Sequence, residues 1–335
     1  MKSIVGAWRG LSLLKQADIS TAQAVNTSFY FSGDPLEPEP DTLFVGADEV
    51  NGELLPTTHR LLTRKLAGKH KSKAFPHLVG LFASMVMGKD TPSVVGTTTA
   101  YKHKIEIDKT VVELPYRCLI EHDGDTQKLF TGVACLGFQL SGQRGQFVEF
   151  EADLLGSGIE AADATVKPAR VAESYLAYGD VKFTKGGAFD GTTITGGTDL
   201  SGKLIDFTIG VKNNGKGVHL MGDPSGNYGR IQRGPRFDID FKAKFELEDQ
   251  SHRTDLLAET EMVASVPIVG GTANGDAKYT VEAIFPRVIY KAAKKGVDDG
   301  NLVVAAEFQV LADPTYGPLI LNVINLQQAS YLAAA

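Results

Sequence analysis

The sequence predicts a mainly β fold of the α+β class, built as two copies of one module. Three observations carry this. First, a strand, a Gly-containing turn and a second strand occur twice, as LFTGVACLGFQLSGQRGQFVEFEADLL over Leu129–Leu155 and as IFPRVIYKAAKKGVDDGNLVVAAEFQV over Ile284–Val310. Phe130, Val133, Gly145 and Val148 match Phe285, Val288, Gly300 and Val303 at one ungapped interval (300 − 145 = 155). Second, Phe237–Leu247 alternates apolar and charged residues throughout, the period of a strand with one dry and one wet face. Third, the 36 glycines suit many strands joined by tight turns.

In chain order, residues 1–40 read as an extended, irregular N-terminal arm, with GDPLEPEP at Gly33–Pro40 rich in Pro and acid. A first module spans 41–158. In it Phe75–Gly88 (FPHLVGLFASMVMG) predicts a helix, because Leu78, Leu81, Phe82 and Met85 fall at helical spacing and Gly88 can stop it. Tyr101–Ile107 alternates as a strand, Tyr116–Glu121 is a second strand, and Asp123-Gly124 signals a hairpin. Residues 159–170 read as a linker ending near Pro168.

The second module, 171–330, begins with Tyr175–Phe183 and a Gly/Thr-rich stretch at Gly186–Gly202, and has strands at Leu204–Val211 and Phe237–Leu247, a turn at Asn213-Asn214-Gly215, and a short helix over Ser251–Thr260 with Ser251 as its cap. A second set of matches pairs Pro56, Leu62, Leu66 and Leu78 with Pro235, Phe241, Phe245 and Leu257 (235 − 56 = 179). Strand-then-helix therefore recurs as well, in the same order as the hairpin.

Composition narrows the function. A net charge of −6 argues against duplex DNA binding, which needs phosphate-neutralising Lys and Arg on one face. Cys118 and Cys135 sit in apolar runs and read as buried thiols. MKSIVGAWRGLSLL lacks the build of a signal peptide, and no window suits a membrane helix, so the chain is expected in a cytoplasm, without membrane insertion.

The seven His residues are scattered without ligand spacing, so no metal is expected. GSGIEA at Gly156–Ala161 has the form of a dinucleotide-binding loop. It follows a hairpin, however, and Pro168 comes too soon for a crossover helix, so a linker is the better reading and no cofactor is expected. No nucleophile elbow, P-loop or Cys–His signature is present, and no catalytic residue is assigned.

The stretch Arg60–Lys73 (RLLTRKLAGKHKSK) holds no acid and reads as a solvated hairpin tip; nucleic-acid binding fits less well because aromatic residues are not interleaved. Its counterpart Lys244–Arg253 carries acids. Arg64, Lys65, Lys69, Lys71 and Lys73 against Glu246, Glu248 and Asp249 are thus candidate contact loops between copies, where opposite charges would set partner and register.

The residues LFTGVACLGFQLSGQRGQFVEFEADLLGSG (Leu129–Gly158) and LIDFTIGVKNNGKGVHLMGDPSGNYGRIQRGPRFDIDFKAKFE (Leu204–Glu246), with Arg233-Gly234 leading into an alternating strand, resemble the tail tube protein, or major tail protein, of long-tailed bacteriophages. The resemblance covers about 40–330. It implies two duplicated tail-tube modules, each a β-sandwich or half-barrel with a flanking helix, joined edge to edge around a channel. It also implies stacked rings of the protein itself, a tape-measure protein in the lumen, terminator and tail-tip proteins at the ends, passage of DNA, and a place in the virion tail after assembly in the host bacterial cytoplasm. Two modules per chain imply a trimeric ring with six module positions. The alternatives are a hexameric ring of one elaborated module, a β-rich carbohydrate- or ligand-binding protein, and a hydrolase.

Overall fold

A computed structural model of the chain describes residues 10–16, 18–21, 29–31, 37–45, 58–122, 127–162, 171–221 and 225–332. In the first half, strands β1 (Gly10–Lys15), β2 (Phe29–Phe31), β3 (Glu37–Val45) and β4 (Thr58–Lys73) lead to helix α1 (Pro76–Met87). Strands β5 (Gly88–Val94), β6 (Tyr101–Ile107), β7 (Arg117–His122), β8 (Gln127–Gln143), β9 (Glu149–Gly156) and β10 (Glu160–Ala162) follow.

In the second half come the short β11 (Thr184–Lys185), β12 (Ala188–Phe189), β13 (Ile194–Thr195) and β14 (Thr198–Asp199). The longer β15 (Leu204–Lys212), β16 (Lys216–His219), β17 (Tyr228–Gln232) and β18 (Asp238–Glu246) lead to helix α2 (Ser251–Leu257), and β19 (Met262–Asn274), β20 (Ala277–Asp298), β21 (Asn301–Val310) and β22 (Ile320–Asn325) complete the chain.

The centre is an antiparallel run in the order β3–β4–β9–β8–β15–β18–β21–β20. Register is kept across it. Ser72, Phe150, Leu140, Ile209, Phe241, Phe308 and Tyr290 stand directly opposite one another in sequence, and all but Ser72 are buried. One residue along, the row is Lys73, Glu149, Ser141, Thr208, Lys242, Glu307 and Ala292, each at least partly exposed. The period of two therefore gives the sheet one dry and one wet face.

The dry face is covered by the first half of β20 with its neighbours β19 and β22, by β6 beyond β22, and by α1. Phe241 stacks on Phe285 at 4.2 Å between ring centroids, and Phe82 of α1 stacks on Phe150 at 5.8 Å. This is a β-sandwich with an inserted helix. The two long strands β8 and β20 each change neighbours near a bulge, between Cys135 and Gly137 and between Tyr290 and Ala292.

Helix α1 lies where the sequence predicts it. Every residue in it is buried, as an all-round apolar helix requires. Gly88 ends it in the left-handed region (φ 88°). Its first turn has no side-chain cap of its own; the Glu173 carboxylate accepts the His77 backbone N–H at 2.8 Å instead.

Three readings change. The arm, read as irregular, contributes β1, paired with β2 and β7, and the first four residues of β3 (37–40), paired with β4. Arg60–Lys73 is not a hairpin tip but the body of β4, kept extended by ladders on both sides. Ser251 is the first helical residue of α2; Asp249 accepts its N–H at 2.8 Å and does the capping. Within 175–183 a 3-10 turn at Tyr178–Asp180 lies between isolated bridges. The hairpin signal Asp123-Gly124 lies outside the described residues.

A buried polar cluster ties the C-terminal segment beneath α1. The Asp90 carboxylate accepts from His103 Nδ1 at 3.0 Å, from Ser330 Oγ at 2.9 Å and from the Tyr331 N–H at 2.7 Å. His103 Nε2 meets the Gln327 carbonyl at 2.7 Å, so both ring nitrogens face acceptors. Arg117 donates to the Tyr331 carbonyl, and Gly80 leaves room for the Tyr331 ring, which a Cβ there would meet at 2.7 Å.

Because Asp90 and His103 are both inaccessible, Asp90→Ala leaves buried polar groups without their acceptor and is expected to cost about 1–3 kcal/mol in urea unfolding. A loss below about 1 kcal/mol would show that water relieves the cluster.

Burial pushes the Glu173 carboxyl up to about 7 and pulls the His77 ring down to about 3. The raised Glu173 contributes stability that is present below 4.5 and lost as pH rises through 7. The depressed His77 contributes stability that is present above 6.5 and lost as pH falls toward 3. Their slopes oppose each other between 4.5 and 6.5. Glu173→Gln keeps an acceptor for the helix but removes one slope. Its urea midpoint is expected to fall on acidification across that window more steeply than the parent's; parallel curves would refute the assignment.

Candidate functional site

The wet face of the central run is a broad polar surface that carries charges of both signs. Lys71 lies opposite Glu151, Glu151 opposite Gln139, Gln139 opposite Gly210, and Gly210 opposite Asp240. A groove of about 720 Å³ runs along it, with Lys69, Gln139, Glu151, Asp153, Lys212 and Asp240 among its lining residues.

The basic residues singled out from sequence divide. Lys69 Nζ lies 2.6 Å from Glu151 and 3.4 Å from Asp153, and Lys71 Nζ lies 3.0 Å from Glu151. The Lys69 hydrogen bond, opposed by partial burial, holds the Glu151 carboxyl below its ordinary range. These pairs are solvated, worth at most about 1 kcal/mol each, and they fix register rather than stability. Lys73 Nζ sits 4.3 Å above the Phe147 ring. Arg64 is exposed and its backbone N–H donates to the Gly226 carbonyl at 2.8 Å. The Lys65 side chain lies outside the described residues.

The acids are engaged too. Glu246 pairs with Arg144 at 2.8 Å, Glu248 pairs with Lys203, and Asp249 caps α2. Within one chain β9, β8 and β15 separate β4 from β18, so the two sets do not meet.

Sequence reasoning missed Gln139, Ser141, Thr208, Lys212 and Glu307 on this face. The signal was present in β8, where polar residues alternate after the bulge, but the bulge shifts the phase and hides it.

The two Cys thiols are buried and not joined in a disulfide, and burial raises the Cys135 thiol. GSGIEA leads into strand β10, which pairs with β8, so no helix N-terminus stands there to receive a phosphate. Among the described residues no group of three or more His, Cys, Asp or Glu could hold a metal ion, and no helix is long and apolar enough to cross a membrane.

The seam between halves is β8 against β15. It is close-packed: a Cβ on Gly142 would come 2.5 Å from Cε1 of Phe207, and one on Gly137 would come 2.9 Å from the Val211 carbonyl oxygen. Phe207 is buried and cannot swing out. Gly142→Val is expected to destabilise the fold by about 1–3 kcal/mol through overpacking, read from the urea midpoint. No change would mean that the seam is looser than its geometry.

Such a molecule is defined by a wide antiparallel sheet with a charged, grooved face: a structural β-protein that offers a surface in place of a pocket. Residues 19–310 match the family described as phage tail tube protein, and the chain belongs to that family. It is a structural component of the bacteriophage virion tail, and its family implies self-assembly into a tube and contact with other tail components. A search of curated proteins found no match.

Proposed function

We propose that the chain polymerises as stacked rings into the tail tube and forms the channel for genome delivery. In this reading it is not an enzyme. Three copies make a ring with six module positions, because each chain carries two duplicated tail-tube modules, 41–158 and 171–330, joined by 159–170.

The observation that carries the reading is the agreement of the two hairpins beyond sequence. The bulge at Tyr290 and Ala292 stands at the same interval from that at Cys135 and Gly137 (290 − 135 = 155) as the original match. Gly145 and Gly300 share that interval and both take positive φ, 81° and 80°. The strand orders β3–β4–β9–β8 and β15–β18–β21–β20 correspond.

The strand-to-helix match does not survive in its first register. Leu78 is fully buried whereas its match Leu257 is 73% exposed. The ladders support a different pairing of β4 with β18. Phe138 faces Ala152 as Ala293 faces Ala306, which sets the second hairpin strand one residue short of the sequence interval (306 − 152 = 154). His70 lies beside Ala152 as Ala243 lies beside Ala306 (243 − 70 = 173).

The wet face lines the lumen in this proposal, around a tape-measure protein and later DNA. Mixed charges and a net −6 let DNA slide without a basic track to hold it. Terminator and tail-tip proteins close the ends, and assembly takes place in the host bacterial cytoplasm. The candidate inter-ring contacts remain Arg64, Lys65, Lys69, Lys71, Lys73, Glu246, Glu248 and Asp249.

Electron microscopy of the purified protein is expected to show rings or tubes with a central hole and threefold symmetry. A persistent monomer at high concentration would sink the proposal, and true sixfold rings would favour one elaborated module per position. Reversing Lys69, Lys71 and Lys73 to Glu is expected to shorten the tubes while circular dichroism stays unchanged. Tubes of parental length would remove these lysines from the stacking contact.

A further inference from the structure

The chain already contains one joint between its halves, and among the described residues the same joint has two ends without a partner strand. β8 is flanked by β9 on one side and β15 on the other. Its counterpart β20 has β21 on one side, and among the described residues nothing pairs with the other side of its segment after the bulge. β15 is flanked by β8 and β18, whereas its counterpart β3 has only β4 among the described residues. One strand at each end of the central run therefore lacks the neighbour that its internal counterpart has.

From this we infer that the free edge of β20 pairs antiparallel with β3 of a second copy of this chain, repeating the β8–β15 seam between molecules. The inference rests on the ring reading and specifies its contact.

The register follows from the internal seam. Gln139 faces Gly210 there, and Phe138 faces Val211. Gln139 and Phe138 correspond to Lys294 and Ala293 by the hairpin interval (294 − 139 = 155). Val211 faces Ile239 as Pro38 faces Leu66 (239 − 66 = 173), so Val211 corresponds to Pro38 and Gly210 to Glu37. Glu37 of one copy is then opposite Lys294 of the next, and Pro38 opposite Ala293.

Two features fit this partner. The described β3 sequence EPEPDTLFV carries Glu37, Glu39 and Asp41, and the stretch of β20 that faces 37–41 in this register, 290–294, carries Lys291 and Lys294, so the two edges are opposite in charge.

The prolines supply direction. Pro38 and Pro40 share one parity, and a proline in an edge strand turns its nitrogen to the open side. That edge accepts hydrogen bonds through carbonyls but cannot donate at those positions. Two β3 edges therefore pair poorly with each other, whereas the β20 edge has N–H groups to give. A contact between unlike edges is head-to-tail and closes into a ring when the rotation allows.

The test is a disulfide between full-length copies. Directly opposite residues in an antiparallel pair bring Cβ atoms about 4.5–5.5 Å apart, close enough to bridge with small adjustment. Cys118 and Cys135 are buried and should stay silent. Glu37→Cys/Lys294→Cys, assembled and mildly oxidised, is expected to run mostly as covalent multimers on a non-reducing gel, ending at three chains, while each single variant stays monomeric. Circular dichroism confirms that the variants fold. Rings visible by microscopy without cross-linked chains would overturn this joint and leave the ring reading standing. Neither rings nor cross-links from the folded double variant, with the parent chain equally monomeric, would overturn both. Multimers from Glu37→Cys alone would point to like edges meeting and would also overturn the joint.

Discussion

Everything in this molecule depends on keeping one register across the central antiparallel run. Side chains alternate with a period of two, so a slip of one residue in any strand would move its apolar set to water. The constraint is tightest at the seam of β8 and β15. There Phe207 and Val211 of one half reach the dry face beside Phe138 and Leu140 of the other, and Gly137 and Gly142 let the backbones approach. The two halves share one sheet and one large apolar cluster, from Phe75 and Phe150 to Phe241 and Leu321. The proposed duplication therefore does not make the halves structurally independent: each completes the other's sheet and core.

The charges follow from the same register. Lys69, Lys71, Glu151 and Asp153 meet because β4 and β9 are locked with Lys71 opposite Glu151. Pairs of this kind add little to stability, but a like-charge arrangement in a slipped register would be penalised. On the opposite side of the fold the polar groups act differently. Asp90, His103 and Arg117 are withdrawn from water, and they fasten the segment from Gln327 to Tyr331 beneath α1. That anchor holds β22 and β6 together as well, since the segment leaves directly from β22.

Much of this was legible in the residues. The helix at Pro76–Met87, the strand at Tyr101–Ile107, the alternation over Asp238–Glu246 and the long hairpins stand where apolar spacing puts them. What failed had physical causes. The basic run in β4 looks like a loop because the acids that neutralise it belong to β9, some eighty residues away. β1 and β3 draw their order from ladders to β7 and β4, which local composition does not reveal, and Pro38 and Pro40 disguise an edge strand as part of an irregular arm. The match of Leu62 and Leu66 to Phe241 and Phe245 was drawn six residues away from the ladder register (179 − 173 = 6), because apolar residues at period two match equally well after any even slip. The wet face, as a surface shared by seven strands, exists only once the order of those strands is known.

The central claim is that this wet face lines the channel of the tube. A residue-level electron-microscopy reconstruction of the assembled tube tests it most directly. Threefold rings are expected in which Glu151, Thr208 and Lys242 point into the lumen and α1 lies away from it. A lumen lined by α1 or by the turn at Asn213–Gly215, with the wet face turned outward, would contradict it.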